Sequence, residues 1–440
     1  VTTGSRWYKR RPYIHFDLPL GEKDATTYAT DFQRGTRHAF YPFLTYKIVT
    51  PRIKKTPGAA KPFVKDPKQR TISYPAHKDG YIFSYYKSLL EAVYEPWLQA
   101  HSLVEAVTAF RATKDNNVIL AKKAFDFIKL NPGCRIIATD VESFFDTIGH
   151  EILKKTWASF LGTSRLPDDH YAVYKAITCY SVVQRHKVYN LFGIPLFSRL
   201  SGAGDPKRLC TARQFRQTVV PRGLVTAHPG LGKGIGIPQG SSLSPLLSNM
   251  YMSNLDLAMY SWISTLGGAY WRYCDDILIV VPHGQPETIL ERLDQELKLL
   301  ELKRSEGKTQ TMNDKELASR RQLQSLGFIF NGSEAMVRSS SIHRYHRKLK
   351  AAIQAAEVRR GTESRDPLQK TPLRKQALYN RYSELPLRGR RAKARAGRQK
   401  YHGNFTHYMA RAAGLLNSQH IERQRRHVLK KFRASIRKHK

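Results

Sequence analysis

AYWRYCDDILIVV, running from Ala269 to Val281, sets two β-rich arms around the adjacent acids Asp275 and Asp276. Tyr, Trp, Ile and Val crowd both arms, so the stretch reads as a hairpin with the acid pair at its tip. Adjacent aspartates repel and raise each other's pKa unless a cation holds them. Asp is also a common solvated turn residue, so the pair has to be weighed with what surrounds it. Upstream, CRIIATD (Cys134 to Asp140) is an apolar strand ending in an acid, and DVESFFDTI continues from that acid. GIPQGSSLSP (Gly236 to Pro245) is a glycine-bearing loop leading into a helix expected over Ser244 to Ile263, with Ser-Pro where an N-cap and N1 belong. Carboxylate oxygens are hard ligands suited to Mg²⁺. Asp140 on a neighbouring strand could therefore join the pair in holding two ions ~3.5–4 Å apart, the geometry of phosphoryl transfer.

Working outward, the chain has 440 residues, enough for two or three packed lobes. Its charge is far from balanced: 74 Lys+Arg against 35 Asp+Glu leave +39. Such a chain repels itself unless a polyanion neutralises it. The basic residues run along the whole length among 11% aromatics, which suits nucleic acid better than an anionic membrane surface. Cys134, Cys179, Cys210 and Cys274 form no CxxC pair, so the reading is of reduced thiols. No stretch approaches a spanning helix and the opening residues lack a signal-peptide pattern, so a soluble cytoplasmic protein is expected.

The spacing of Leu89, Leu90, Val93, Tyr94 and Leu98 predicts helix between about Tyr81 and Phe127, and RTISYP (Arg70 to Pro75) predicts a strand. An amphipathic helix is expected over Glu287 to Leu302. Beyond Asn331 Arg, Lys, Ala and Leu dominate with helical periodicity, most densely in LRGRRAKARAGRQK (Leu387 to Lys400). In so basic a chain, Arg388, Arg390, Arg391, Lys393, Arg395, Arg398 and Lys400 are candidates for phosphate contact. Gly230, Gly232, Gly234 and Gly236 lack a following GK[ST], and His150-Glu151 lacks a second His, so neither a P-loop nor a zincin helix is read.

The order D-x-x-x-F-F-D, then G-x-P-Q-G-x-x-x-S-P, then Y-x-D-D resembles reverse transcriptases of the bacterial group II intron, retron and abortive-infection lineage. KQRTISYPAHKD (Lys68 to Asp79), GKTQ (Gly307 to Gln310) and SLGFIF (Ser325 to Phe330) extend the resemblance to residues 61–330. It implies an α+β right-hand polymerase. The fingers and palm would be an antiparallel sheet plus helices, and the thumb basic and α-helical. The boundaries expected are an N-terminal basic extension at 1–52, fingers at 53–135, palm at 136–330 with a basic insertion about 161–235, and thumb and tail at 331–440.

It further implies an RNA-directed DNA polymerase using two Mg²⁺, with Mn²⁺ as the alternative ion, and dNTPs as substrates. Asp140 and Asp275 would be metal ligands with the Val141 carbonyl, and Asp276 a weaker carboxylate. Lys68 and Arg70 would contact the triphosphate. Gln239 and Gly240 would line the nucleotide pocket, Phe145 would exclude a ribose 2′-hydroxyl, and Lys308 would be the candidate acid for pyrophosphate. The opening RWYKRRPYIHFDLP, the basic insertion and the basic tail resemble bacterial defence-associated reverse transcriptases of class 2, which copy a dedicated noncoding RNA into cDNA and act against phage.

Several residues keep a second reading. Asp146 either caps the following helix or binds a ribose hydroxyl; Lys308 is either the acid or a solvated charge. One of Phe144 and Phe145 is core if the two follow strand alternation. The aromatics of the first fifty residues either stack on bases or pack inside. Template-independent DNA synthesis and a maturase-like RNA-binding role are the alternative functions.

Overall fold

The computed structural model describes residues 7–35, 37–50, 53–55, 63–65, 67–111, 117–196, 198, 207–319, 321–363, 375–384 and 403–438. The fold is α+β with mostly antiparallel sheets, and the chain divides into two compact units. The first comprises Val1–Arg111, Val141–Ser261 and Leu290–Ser305; the second comprises Ala112–Asp140, Trp262–Ile289 and Glu306–Lys440. The basic run at 387–400 lies outside the described residues. No described helix is long and apolar enough to cross a membrane.

In the first unit, strands β1 (Phe43–Thr50), β4 (Lys68–Tyr74), β6 (Ser181–Gln184) and β7 (Val225–Ala227) form a sheet in the order β4-β1-β6-β7. The β1–β6 pairing is parallel and the others antiparallel. A short hairpin, β2 (Ile53–Lys55) with β3 (Phe63–Lys65), stands between β1 and β4 in sequence. The core gathers Ile14, Phe16, Leu44, Tyr74, Val183, Val188 and Tyr189. The N-terminal segment therefore builds this unit. Asp17 accepts from the amides of His77 and Lys78, each at 2.8 Å, and so caps the helix His77–Ala100, while Tyr13 stacks on His77. Of the early aromatics, Phe16, Phe32 and Phe43 are buried and take the core reading, whereas Trp7, Phe40 and the tyrosines are only half-buried and keep both.

The predicted helix between Tyr81 and Phe127 is two helices, His77–Ala100 and Asn117–Leu130, with Leu90, Tyr94 and Leu98 buried as the spacing required. The helix expected over Ser244 to Ile263 is also two, Ser244–Tyr251 and Ser253–Thr265. Ser244 is helical, and its hydroxyl donates to the Pro238 carbonyl at 2.7 Å instead of capping. The amphipathic segment forms Pro286–Leu299.

The second unit is built on an antiparallel sheet in the order β10-β5-β9-β8, from β5 (Arg135–Asp140), β8 (Ala269–Tyr273), β9 (Asp276–Val281) and β10 (Gln310–Asn313). Cys134, Ile136, Ala138, Trp271, Leu278, Val280 and Met312 alternate onto one face, and Ile137, Tyr270, Ile277 and Ile279 on the other are buried as well, so the sheet is covered on both sides. Against the first face pack Phe125 and Ile128 from the helix Asn117–Leu130, and Phe328 and Phe330 from the ribbon β11 (Leu323–Ser325), β12 (Phe328–Phe330) and β13 (Ala335–Val337). Phe125 stacks on Phe330 with ring centroids 4.3 Å apart. The core continues through the helices Ser339–Glu363, Lys375–Tyr382, Phe405–Leu415 and Gln419–Arg437. In the last of these Ile421, Val428, Leu429, Phe432 and Ile436 face inward at helical spacing, leaving the basic residues outside.

Candidate active site

The acids of the second unit are gathered by strand register. β5 and β9 pair antiparallel with Asp140 directly opposite Asp276, and β8 and β9 pair with Tyr273 opposite the same Asp276. Directly opposed residues project to one face with Cα atoms ~4.5–5.5 Å apart. Asp140 and Asp276 therefore share the face whose lower rows are Ala138 with Leu278 and Ile136 with Val280. Cys274 and Asp275 make the two-residue turn between the strands. Cys274 holds φ +62° and Asp275 does not share the positive value, the pattern of a type II′ hairpin.

Asp140 is only 8% exposed. Its Oδ2 accepts from the Lys308 ammonium, and Thr139 beside it shares a hydroxyl hydrogen bond with Thr309 at 2.8 Å. Its Oδ1 is buried without a hydrogen-bond partner. Asp275 is half-buried and Asp276 reaches solvent. The protein packed around Asp276, reinforced by the charges of Asp275 and Asp140, still pushes its carboxyl up to about 6, while Arg338 and Lys308 pull the other way. Among the described residues no three His, Cys, Asp or Glu side chains are gathered closely enough to hold a metal ion. The donor set nonetheless fits a hard divalent cation: carboxylates only, one with a buried acceptor oxygen left without a partner.

Two further residues of this unit bear on the acids without any signal in the sequence. Arg338, just ahead of the helix Ser339–Glu363, places positive charge by Asp276. Arg272 is fully buried on β8, and its Nη1 donates to the Cys274 carbonyl at 2.9 Å. A buried arginine inside a strand carries no periodic signal, since arginine is ordinarily an exposed residue.

The remaining candidates lie in the first unit. The loop Gly236–Gly240 is fastened at both ends. The Gly236 amide donates to the Ile148 carbonyl at 2.8 Å and the Ile237 amide to the Phe145 carbonyl at 2.9 Å. At the other end the Ser73 amide donates to the Gln239 carbonyl at 2.7 Å. Gln239 and Gly240 therefore lie on β4, the strand that also carries Lys68 and an exposed Arg70. Gly236 holds φ +93° and Gly240 φ +130°, conformations that side chains resist.

Phe144 and Phe145 lie in a short helix, Phe144–Thr147, and not on a strand; Phe144 is core at 3% exposure and Phe145 is half-buried. Asp146 sits inside that helix, and the next helix, His150–Phe160, takes Gly149 at its N-cap, so the capping reading of Asp146 fails. Val141 is buried and bridges to Arg304.

No curated protein matches the chain in sequence. Among solved structures, apo telomerase from Candida tropicalis truncated from its C-terminal domain is similar at 12% identity and TM-score 0.43, over 71% of this chain and 59% of that one. The apo telomerase of Candida tropicalis gives 11% and 0.42, over 73% and 53%. Telomerase from Candida albicans with a fragment of telomeric RNA gives 12% and 0.41, over 72% and 49%. The chain thus spans less than two thirds of the length of each. Residues 230–330, from the glycine loop through the Cys274-Asp275 turn to the end of β12, match the family described as reverse transcriptase (RNA-dependent DNA polymerase).

Proposed function

We propose that the chain is an RNA-directed DNA polymerase. The observation that carries this is the register setting Asp140 opposite Asp276 with Asp275 in the adjoining turn, inside a segment that matches reverse transcriptases. Asp140, Asp275 and Asp276 would hold the divalent ions, together with the Val141 carbonyl, and Mg²⁺ or Mn²⁺ suits these oxygens. Bound ions would supply activation of a primer 3′-hydroxyl and neutralisation of the departing pyrophosphate. The protein's own contribution is to fix the carboxylates on a rigid sheet and to present Lys308 to the same group. On β4 and the glycine loop, Lys68, Arg70, Gln239 and Gly240 would bind the incoming dNTP, with Phe145 excluding the 2′-hydroxyl. The fingers, palm and thumb boundaries read from the sequence belong to this proposal.

A dedicated noncoding RNA as template and scaffold, a bacterial cytoplasmic setting and a role against phage are the finer parts of the reading. They rest on the class 2 resemblance and on the net charge of +39, which favours a long polyanionic partner.

The test is primer extension on an RNA template with the Asp275→Ala, Asp276→Ala double variant. cDNA synthesis should vanish while RNA affinity stays near that of the wild type. Loss of RNA binding as well would make the acids structural. Wild-type incorporation that ignores template sequence would replace the reading with untemplated DNA synthesis.

A further inference from the structure

We propose that Arg272 is a positioning residue that holds the Cys274–Asp275 peptide in one orientation and thereby aims the Asp275 carboxylate. The inference rests on the polymerase reading and concerns a residue which that reading does not use.

Arg272 is 0% exposed although it lies two residues before the turn. Burying a guanidinium is costly unless it is bonded in good geometry. Its Nη1 meets the Cys274 carbonyl at 2.9 Å, so one arm of its rigid planar fork is tied to the turn backbone. The opposing residue on β9 is Ile277, which places Arg272 on the sheet face opposite to that of Asp140 and Asp276. Arg272 therefore supports the hairpin from beneath and does not reach the acids' side.

The carbonyl it holds belongs to the central peptide of the turn. Types II′ and I′ differ by a flip of that peptide: II′ needs positive φ at the first central residue only, I′ at both. Cys274 is at +62° and Asp275 is not positive, so the turn is in the II′ state. Aspartate tolerates the left-handed region better than most residues, so a flip to I′ is open to Asp275 on its own account. A flip would reverse the Cys274 carbonyl and the Asp275 amide, and tilt the Asp275 Cα–Cβ bond as its backbone nitrogen moves. The hydrogen bond from Arg272 exists only in the unflipped state and selects it.

The experiment compares wild type with Arg272→Met and Arg272→Lys. It measures primer extension, Mn²⁺ binding by electron paramagnetic resonance of the free ion, RNA affinity and thermal melting. Arg272→Met should lower kcat ~100-fold and weaken Mn²⁺ binding ~10-fold, with KM for dNTP and RNA affinity close to wild type. Arg272→Lys keeps the charge without the fork and should fall between the two. A folded Arg272→Met with wild-type kcat and Mn²⁺ affinity overturns the inference. If the Met variant does not fold, the Lys variant decides, and wild-type values in it overturn the inference equally. A wild type that makes no DNA sinks the polymerase reading, while the Mn²⁺ comparison still judges Arg272. A wild type that binds no Mn²⁺ overturns both.

Discussion

The backbone of Gly240 runs against the carbonyl oxygen of Ser73, so close that a Cβ at Gly240 would meet that oxygen at 2.5 Å. The Ser73 amide is bonded to the neighbouring Gln239 carbonyl, so neither backbone can move aside alone. Gly240 also holds φ +130°, where any L side chain is strained. Both penalties fall on the same substitution. Gly240→Ala should cost about 1–3 kcal/mol of stability, read as a lower urea midpoint. An unchanged midpoint would mean that the glycine loop does not sit on β4.

Phe145 offers a cleaner change, because its backbone and side chain do separate things. Its carbonyl accepts from the Ile237 amide and anchors the glycine loop, whereas its ring is half-buried and its neighbour Phe144 fills the core. Phe145→Ala should therefore fold normally. If the ring excludes a 2′-hydroxyl, selectivity for dNTP over rNTP should fall by at least ~10-fold in primer extension. Unaltered selectivity would remove Phe145 from that role.

How much of this is legible in the sequence depends on the range of the interaction. The hairpin around Cys274 and Asp275 can be read because strand-favouring Tyr, Trp, Ile and Val crowd both arms close in sequence, and β5 because Cys134 to Asp140 is one apolar run. The glycine loop is visible as Gly-Ile-Pro-Gln-Gly, but its partner Ser73 lies far back along the chain and no local pattern joins them. Helix breaks are hidden for a related reason. Met252 interrupts an apolar periodicity that continues on both sides, so the spacing reads through it. Asp146 defeats the capping reading because Ser143, at φ +47°, turns the chain into a helix that begins at Phe144. Arg272 is illegible altogether, since its burial depends on what covers the second face of the sheet, which no local pattern records.

Asp79 gives a pH dependence that is independent of the acidic site. It is fully buried, accepts from the Tyr41 amide at 3.0 Å and pairs with His38 at 2.7 Å. Burial pushes its carboxyl up to about 6, and the His38 ring, pulling the other way, does not overcome it. The folded state thus holds this proton more tightly than the unfolded chain does. The stability it contributes is complete below about pH 4 and is lost as pH rises to about 6. Over that window the wild type should lose roughly 3 kcal/mol relative to Asp79→Asn, which has no proton to release. Thermal melts of both proteins between pH 4 and 7 check this; a gap that stays constant with pH would refute it.

The net charge of +39 makes the last prediction quantitative. Each phosphate met by Lys or Arg releases a condensed counterion, so the logarithm of affinity falls linearly with the logarithm of salt. With ~6–10 phosphates engaged, RNA affinity should drop by about three orders of magnitude or more between ~50 and 200 mM salt. The seven basic residues Arg388, Arg390, Arg391, Lys393, Arg395, Arg398 and Lys400 are the densest cluster in the chain, and replacing them all with Gln separates two cases. If they meet phosphates, the salt slope becomes shallower by ~0.7 for each phosphate no longer engaged, the value for single strands. If they form only a solvated face, affinity changes little and the slope stays the same. The slope is the decisive measurement, because general loss of charge lowers affinity through the long-range field, whereas only direct pairing with phosphates sets the number of ions released.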